Sequence, residues 1–499
     1  MRDSSQPALK LDVTSLCSSL AKRARRDPGL PVPNPTVSSW QIEPHKLANH
    51  QSPNLPSKVS IAIIGSGMTG ISTAYHLLQD SADLSVTVLE ARSLTSGATG
   101  RNGGHCKEVP YVDYAELKTL FGKEGAENIV RFRLAQLDAL FDTAAKLSPE
   151  VMEASMLRRV EGVDLYFDPA VFEKMKARQE SWLEDFPEER DRWHVWEGKD
   201  LEEKFGAINA VGCMTGPAGA FWPYRFVCGV TSTLLDSDKY PNFTLETNTP
   251  AESVTVSGLS DYPYEVGTPR GRILAKHVIH CTNGYAGHLL PGLRDILFPL
   301  RGQMTLQSPP PSFPRVGDKK SWILHYAPGF DYITQSPSPS GEIYLGGGLL
   351  QALLSRHIEE EDIDIGSVRD DQQSEEPLKF LERAMEERFK YGKGATIINK
   401  WTGVMGYTVD AVPLVGKVPK SISGRGSGTE NGSEWIAAGF CGHGMAYCWL
   451  TGRAMADMVL KGEENVGDWF PREQLACSEE RLRQANMEEA LAAFMQTVA

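Results

Sequence analysis

Val59-Ser60-Ile61-Ala62-Ile63-Ile64-Gly65-Ser66-Gly67-Met68-Thr69-Gly70 is the stretch that decides the fold. Residues 59–64 are short, uncharged and rich in β-branched side chains, the pattern of a strand buried on both faces of a parallel sheet. Residues 68–79 carry apolar side chains at helical spacing, and Ser85–Glu90 (S-V-T-V-L-E) is a second strand. Strand, helix and strand make one βαβ unit. The turn between the first two elements is G-x-G-x-x-G. Gly65 permits the tight turn, Gly67 lets the backbone approach a pyrophosphate, and Gly70 lets the helix pack closely on the strand. The N–H groups around Ser66, Met68 and Thr69 then face an anion at the helix N-terminus. Glu90 follows about 20 residues after the last glycine, where a carboxylate can bind ribose hydroxyls and repel the extra phosphate of NADP. The competing readings are a glycine-rich turn and an unrelated strand-end carboxylate.

Downstream, Ser96-Gly97-Ala98-Thr99-Gly100-Arg101-Asn102-Gly103-Gly104-His105 is a loop of small residues with one cation. Such a loop can wrap a large planar cofactor and its phosphates; the bland alternative is a flexible loop. Near the other end, Glu434–Gly439 reads as a strand and Met445–Lys461 as a helix, joined by Gly439-Phe440-Cys441-Gly442-His443-Gly444. The N–H groups and positive dipole end of that helix can face an electron-rich ring edge.

Composition narrows the class. The chain has 499 residues, 41% hydrophobic and 23% charged, which is ordinary for a globular protein and gives a prior of roughly three domains. Its formal charge is −13, so no general basic field for nucleic acid exists. Eight cysteines without a C-x-x-C pair fit a reducing compartment, here read as the cytoplasm, rather than a disulfide scaffold or zinc site. No metal-ligand cluster is evident. Residues 59–78 and 435–452 are nearly uncharged, but several Gly, Ser and Thr interrupt them, so they read as buried cofactor-facing segments and not membrane spans. The first 27 residues mix basic and acidic residues without a long apolar run, leaving a mitochondrial presequence as the alternative address. The C-terminal Gln496-Thr497-Val498-Ala499 is no peroxisomal signal.

Residues 28–57 hold seven prolines and read as an extended arm. Helices are expected over 113–147, 170–204 and 378–391, and strands over 160–167, 242–256, 272–281, 321–334, 342–346 and 396–404. The acidic run 357–376 reads as a solvated face, and 421–433 as a mobile loop. No motif sets an oligomeric state.

Taken together, the G-S-G-M-T-G turn, Glu90, the G-A-T-G-R-N-G-G loop, Cys281-Thr282-Asn283-Gly284-Tyr285, Pro299-Leu300-Arg301-Gly302-Gln303 and G-F-C-G-H-G resemble the FAD-dependent amine and amino-acid oxidoreductases of the glycine/D-amino-acid oxidase (DAO) family. The nearest branch is the one containing gamma-glutamylputrescine oxidase, with fungal members that also carry a Pro-rich arm. The resemblance spans nearly all of residues 30–465. It implies an α/β, Rossmann-like FAD domain pieced together from 58–106, 220–290 and 396–465. An α+β substrate domain with an antiparallel sheet would occupy 107–219 and 291–395, flanked by the arm (1–57) and a helical tail (466–499). It further implies ADP contacts from Gly65–Gly70, Glu90, Ala91 and Arg92, and an adenine contact near Ala251. Flavin contacts would come from Gly97, Ala98, Thr99, Arg101, Asn102, Gly103, Gly104 and His105, and from Gly442, Gly444 and Met445. Thr282, Asn283, Gly284 and Gly439 belong to the same shared motifs.

The implied chemistry is hydride transfer from the carbon beside an amine nitrogen to flavin, hydrolysis of the resulting imine, and reoxidation by oxygen with release of hydrogen peroxide. Alternatives are oxidation of a 2-hydroxy acid, tailoring of a natural product, and a catalytically silent flavin-binding scaffold. Three departures stand out. Matching Thr408-Val409-Asp410 to the family's T-x-D motif puts Gly403 where sarcosine oxidases carry the cysteine that attaches flavin, so FAD is expected to be non-covalent unless His105 or Cys106 links it. Ala446 replaces a carboxylate-binding lysine, which disfavours a simple N-methyl amino acid. A lysine that helps relatives activate oxygen aligns near Tyr344. Candidates for the substrate face are His443, Tyr332, Tyr407, Trp222 and Tyr224. The last two serve equally as core aromatics, and Tyr332 can point to either side of its sheet. Arg301 anchors a substrate anion or ties the two domains together.

Overall fold

The computed structural model describes residues 13–198, 201–353, 363–425 and 432–496. Two sheets organise it. The first contains β1 (Lys58–Ile64) at its centre, with β2 (Val86–Leu89) on one side and Gly271–His280 on the other, all parallel. Phe243–Glu246 and Glu434–Ala438 extend it in parallel, Leu414–Lys417 closes one edge antiparallel, and the Ser253–Val256/Tyr264–Thr268 hairpin flanks Gly271–His280. Residues 61–64 are fully buried, as a strand covered on both faces requires. Helix α2 (Met68–Asp80) packs on one face against the Cys448–Lys461 helix; Ser72 donates to the Trp449 carbonyl at 2.5 Å, and a Cβ on Gly452 would lie 2.4 Å from the Ser72 side chain.

The second sheet has nine strands. Thr396–Thr408, Leu297–Ser308, Ile343–Gly347, Phe330–Gln335 and Lys320–His325 run antiparallel in that order, followed by Arg158–Tyr166, Gly212–Ala220 and His105–Cys106, with His194–Trp196 also pairing on Gly212–Ala220. It departs from the expected antiparallel sheet at one junction, where Lys320–His325 runs parallel to Arg158–Tyr166. Thr396–Thr408 also pairs along Leu297–Ser308 in this sheet, so the expected 396–465 segment contributes its first strand here and the rest to the first sheet.

Punctuation residues account for other differences. The helix expected over 170–204 ends at Asp185, before Pro187, and β-forming His194-Val195-Trp196 adds a strand. Pro250 divides the strand expected over 242–256, and the turn holding Pro328 and Gly329 divides 321–334. The arm is extended as read, apart from a 3-10 turn at Ser39–Gln41. Before it lies an unexpected helix, α1 (Val13–Ala24), docked on the Met487–Gln496 helix; Arg25, just beyond α1, donates to both Glu488 oxygens at 2.5 Å. Residues 357–362, 426–431 and 497–499 of the segments discussed above lie outside the described residues.

Candidate active site: a cavity lined by both sheets

A deep cavity opens at the C-terminal ends of the parallel strands, lined by Ile64, Leu89, Cys281 and Phe440 from the first sheet or the turns that follow it. Open α/β sheets bind ligands at this edge. Gly302, Met304, Tyr332 and Gly403–Met405 of the second sheet form the opposite wall. Of the expected cofactor residues, all but Gly70, Gly103, Gly104, His105, Gly284 and Gly439 line it.

The turn is built by glycine. Gly65 has φ +109°, and a Cβ there would lie 2.6 Å from the Cys281 carbonyl oxygen. Gly70 sits beneath the turn: a Cβ would come within 2.0 Å of the Gly65 carbonyl oxygen, so only glycine lets α2 start this close to β1. The Glu90 carboxylate binds the turn directly, accepting from the Ser66 amide (3.1 Å) and hydroxyl (2.7 Å) and from the Arg92 amide (2.9 Å). Thr99 Oγ1 accepts from the Met68 amide at 2.9 Å, locking the glycine-rich loop to the first turn of α2. The remaining expected residues act from behind. Gly103 leaves room for Tyr332, whose ring would lie 2.6 Å from a Cβ there, Gly104 for the Phe221 backbone, and Gly284 for the Met405 carbonyl. The Gly439 amide donates to Asn283 Oδ1 at 2.9 Å. His105 pairs beside Ala220, off the cavity; burial pushes its imidazole down to about 3 and leaves Nε2 without a partner.

The positive charge of the site comes from Arg92 and Arg101, which share one carboxylate. Arg92 is bidentate to Asp370 (3.0 and 2.9 Å), and Arg101 Nε lies 3.7 Å from the same group. With Glu90 bound at the Arg92 amide, two cations face two carboxylates, and Arg101 is the cation with the looser pairing. Burial is the main reason the Arg101 guanidinium is pushed down to about 10, with Arg92 adding to it and Asp370 opposing it. Arg101 Nη1 and Thr282 Oγ1 are buried without a protein partner, and both residues line the cavity. Buried donors of this kind call for an acceptor. They fit FAD, whose pyrophosphate and ring oxygens are acceptors, and so does the glycine cradle.

The acidic stretch read as a solvated face supplies that counter-ion. Asp364 and Asp370 are buried, because each neutralises a buried guanidinium. Asp364 accepts from Arg301 Nε at 2.6 Å, while Arg301 also donates to the Arg369 carbonyl and the Ser374 hydroxyl. Arg301 is therefore neither a substrate anchor nor an interdomain tie; it joins its strand to the adjacent 364–374 segment.

The aromatic candidates separate. Tyr332 lines the cavity with its hydroxyl 3.1 Å from Met304 Sδ, and burial pushes the phenol up to about 12. Tyr407 stacks on Phe298 behind the cavity, its hydroxyl 2.9 Å from where a Gly442 Cβ would be. Trp222 and Tyr224 belong to the core: the indole donates to the Trp40 carbonyl, and the Tyr224 hydroxyl accepts from the His45 amide. Tyr344 lies flat against Trp40, ring centroids 3.6 Å apart, and also does not reach the cavity.

His443 is exposed between Gly442 and Gly444 and heads the 3-10 turn that precedes the last helix of the first sheet's layer. A cluster absent from the sequence reading lies near it. Arg133 is bidentate to Asp113 (2.7 and 2.7 Å) and binds Glu108 at 2.9 Å, with its guanidinium 5.8 Å from the Tyr447 ring centre. Partial loss of hydration and Arg133 lower the His443 pKa, against a smaller opposing effect of Asp113; the residue itself is not among those lining the cavity, although Gly442 and Gly444 on either side of it are. Burial raises Glu108 to about 7 even though Arg133 pulls the other way. Thr36, Met304 and Asp370 also escaped the sequence reading; their partners lie on other elements, 28 residues away for Met304 and Tyr332 and 278 for Asp370 and Arg92, and no local pattern marks them.

Comparison with known proteins agrees with this architecture. Residues 60–458 match the family model described as DAO: FAD dependent oxidoreductase. The chain is 23% identical over 455 residues to gamma-glutamylputrescine oxidoreductase of Escherichia coli (strain K12), covering 87% of this chain and 91% of that protein. Among solved structures, L-proline dehydrogenase from P.horikoshii superposes with a TM-score of 0.60 at 19% identity, covering 84% of this chain and 98% of the other. Iminodiacetate oxidase from Chelativorans sp. BNC1 gives 0.59 at 18% identity, covering 81% and 95%. A family match over four fifths of the chain, on a fold whose cavity carries the family's two glycine motifs, establishes that this protein belongs to the DAO family of FAD-dependent oxidoreductases.

Proposed function

We propose that the protein oxidises an amine or amino-acid derivative at the carbon beside nitrogen, in a cavity whose FAD is held without a covalent bond. When bound, FAD supplies the two-electron chemistry, accepting a hydride from that carbon and passing the electrons to oxygen to give hydrogen peroxide. The observation that carries this reading is one cavity lined by both the Gly65–Met68 turn and the Gly442–Met445 loop, segments from opposite ends of the chain.

The protein's own groups do three things there. The Gly67 and Thr69 amides at the start of α2, left over once Gly65, Ser66 and Met68 donate within the protein, and the orphaned Arg101 Nη1 and Thr282 Oγ1 bind acceptors. Arg101, with Nη1 unpaired, offers positive charge that favours electron-rich atoms of a bound ring over neutral ones. His443, between the cavity-lining Gly442 and Gly444 and with its pKa lowered, is the imidazole of that loop and the candidate to accept the proton that a substrate ammonium must lose before its carbon can yield hydride. Gly403 carries no attachment group, and burial pushes the Cys106 thiol, bonded to the Met445 carbonyl at 3.4 Å, up to about 12, which suppresses the thiolate a link would need.

The substrate class follows from charge. Among the described residues, Arg92 is committed to Asp370, the unpaired Arg101 Nη1 is assigned to the cofactor and Ala446 is apolar, so a simple N-methyl amino acid lacks a cation of its own for its carboxylate. A larger amine of the polyamine or cyclic type fits better. The relatives' names support an amine reading while dividing between oxidase and dehydrogenase, so oxygen is our proposal for this chain. Anaerobic mixing with amine and 2-hydroxy-acid panels tests it: bleaching of the flavin absorbance by amines, with acid precipitation releasing free FAD, is expected. Bleaching by hydroxy acids alone overturns the substrate class. The division into a cofactor and a substrate domain, centred on the first and second sheets respectively, and a cytoplasmic location belong to the same proposal; among the described residues, no helix is long and apolar enough to cross a membrane.

A further inference from the structure

The family match begins at residue 60, yet the cavity wall includes Gly29, Leu30 and Pro31. We propose that residues 28–51 form a strap that completes the dinucleotide site, a binding element for FAD contributed from outside the family's common body.

The strap is fixed at both ends. On one side α1 docks on the Met487–Gln496 helix and Arg25 reaches Glu488 and Asp295. On the other, Trp40 lies against Tyr344, donates to the Asn102 carbonyl at 2.5 Å and accepts at its own carbonyl from Trp222. Beyond it, Gln51 donates to the Thr247 carbonyl at 2.6 Å.

Between the anchors, its bonds converge on the segment that faces the cofactor. Arg92 donates to the Val32 carbonyl at 3.1 Å. Arg101 donates to Thr36 Oγ1 at 2.8 Å, and the Thr36 amide and hydroxyl both donate to the Asp370 carbonyl. Gln41 donates to the Thr95 and Gly100 carbonyls at 3.2 and 3.1 Å. The loop from Ser96 to Gly104 is made of residues that lose much conformational freedom on ordering. A tie at Thr95, Gly100 and Asn102 removes that freedom before the cofactor arrives, and Pro28, Pro31, Pro33 and Pro35 stiffen the tie itself. Leu30 and Pro31 then cover the end of the cavity at Arg92, Tyr285 and His288, so release of FAD requires the strap to lift.

Leu30 is 38% exposed, so its removal opens the cover without hollowing the core. The test uses the full-length chain, wild type against a Leu30→Gly, Pro31→Gly double variant and a Pro31→Gly single variant. Apoprotein is titrated with FAD by flavin fluorescence, the release rate is measured by dilution into a flavin scavenger, and apoprotein melting is recorded. The wild-type titration reports on the cofactor reading by itself. For the strap, the double variant is expected to release FAD about tenfold faster, as loss of apolar cover worth one decade in affinity implies, with apoprotein melting lowered only by the small chain-entropy cost of two added glycines and not enough to account for the faster release. The single variant should fall between the two. FAD should also slow tryptic cleavage within the arm. Equal release rates, or a drop in apoprotein melting that accounts for the faster release, overturn the proposal and leave the arm a packing element only.

Discussion

The two ends of the cavity are made in different ways. The Glu90 end is backbone: the Gly65–Gly70 turn, a carboxylate that holds it through amides, and a helix start, all within some thirty consecutive residues. The Arg101 end is side chains, gathered from the glycine loop and the 364–374 segment, while the Arg133 cluster, on α3 (Tyr114–Leu134), lies near His443 outside the cavity lining. A backbone site is specified by where side chains are absent, and a gathered site by charges that must balance. The first should fail through steric intrusion and the second through uncompensated burial.

The largest effect is expected at the gathered end. Asp370→Asn leaves the Arg92 and Arg101 guanidiniums facing each other without a carboxylate. Removing one partner of a buried ion pair typically costs about 3–5 kcal/mol. Denaturant unfolding of the holoprotein should show that loss, with reduced flavin content in the purified protein. Asn at wild-type stability would mean that the two arginines do not depend on their shared counter-ion.

At the backbone end, Gly70→Ala places a methyl 2.0 Å from the Gly65 carbonyl oxygen, a backbone atom with no room to rotate away. Overpacking of this kind costs about 1–3 kcal/mol. The flavin-to-protein absorbance ratio should fall more steeply than melting does, because the turn itself must shift. Full flavin occupancy with unchanged affinity would remove the steric account of the turn.

That asymmetry also explains what could be read from the chain alone. Gly65 and Gly70 answer local requirements, so their spacing after a buried strand was legible, as were Glu90 and the helix opened by the second motif. Asp370 answers to Arg92, 278 residues away, and within its own neighbourhood looked like one more solvated carboxylate. Arg301 stood in a shared motif and invited a substrate role, but Asp364 consumes it. Tyr344 and Trp222 face Trp40 of the arm, whose docking no periodicity announces. The arm was legible as extended because prolines dictate that locally; what it touches was not.

A third contrast is electrostatic and concerns Glu108, beside Arg133. Its carboxyl is raised from the usual range to about 7, chiefly by burial. A raised carboxyl binds its proton more tightly folded than unfolded, so stability is greatest below the unfolded value, near 4.5, and declines as pH rises toward 7. The decline is at most about 1.4 kcal/mol per pH unit. Glu108→Gln should flatten the unfolding free energy across that window while leaving the profile outside it in place. An unchanged slope in the Gln variant would show that another group produces the decline.

The smallest effect is expected where the two ends meet, at Tyr332. Its hydroxyl touches only a weak acceptor, Met304 Sδ, while its ring lines the cavity over Gly103. If the ring alone matters, Tyr332→Phe preserves the wall, and both stability and KM for an accepted amine should stay within about threefold, since a weakly paired hydroxyl contributes under 1 kcal/mol. Tyr332→Ala removes the wall and should raise KM much more than it lowers kcat, because the ring's contribution is shape rather than proton transfer; the phenol, pushed up to about 12, is a poor base near neutrality. A Phe variant that loses kcat by orders of magnitude would instead make the hydroxyl a catalytic group.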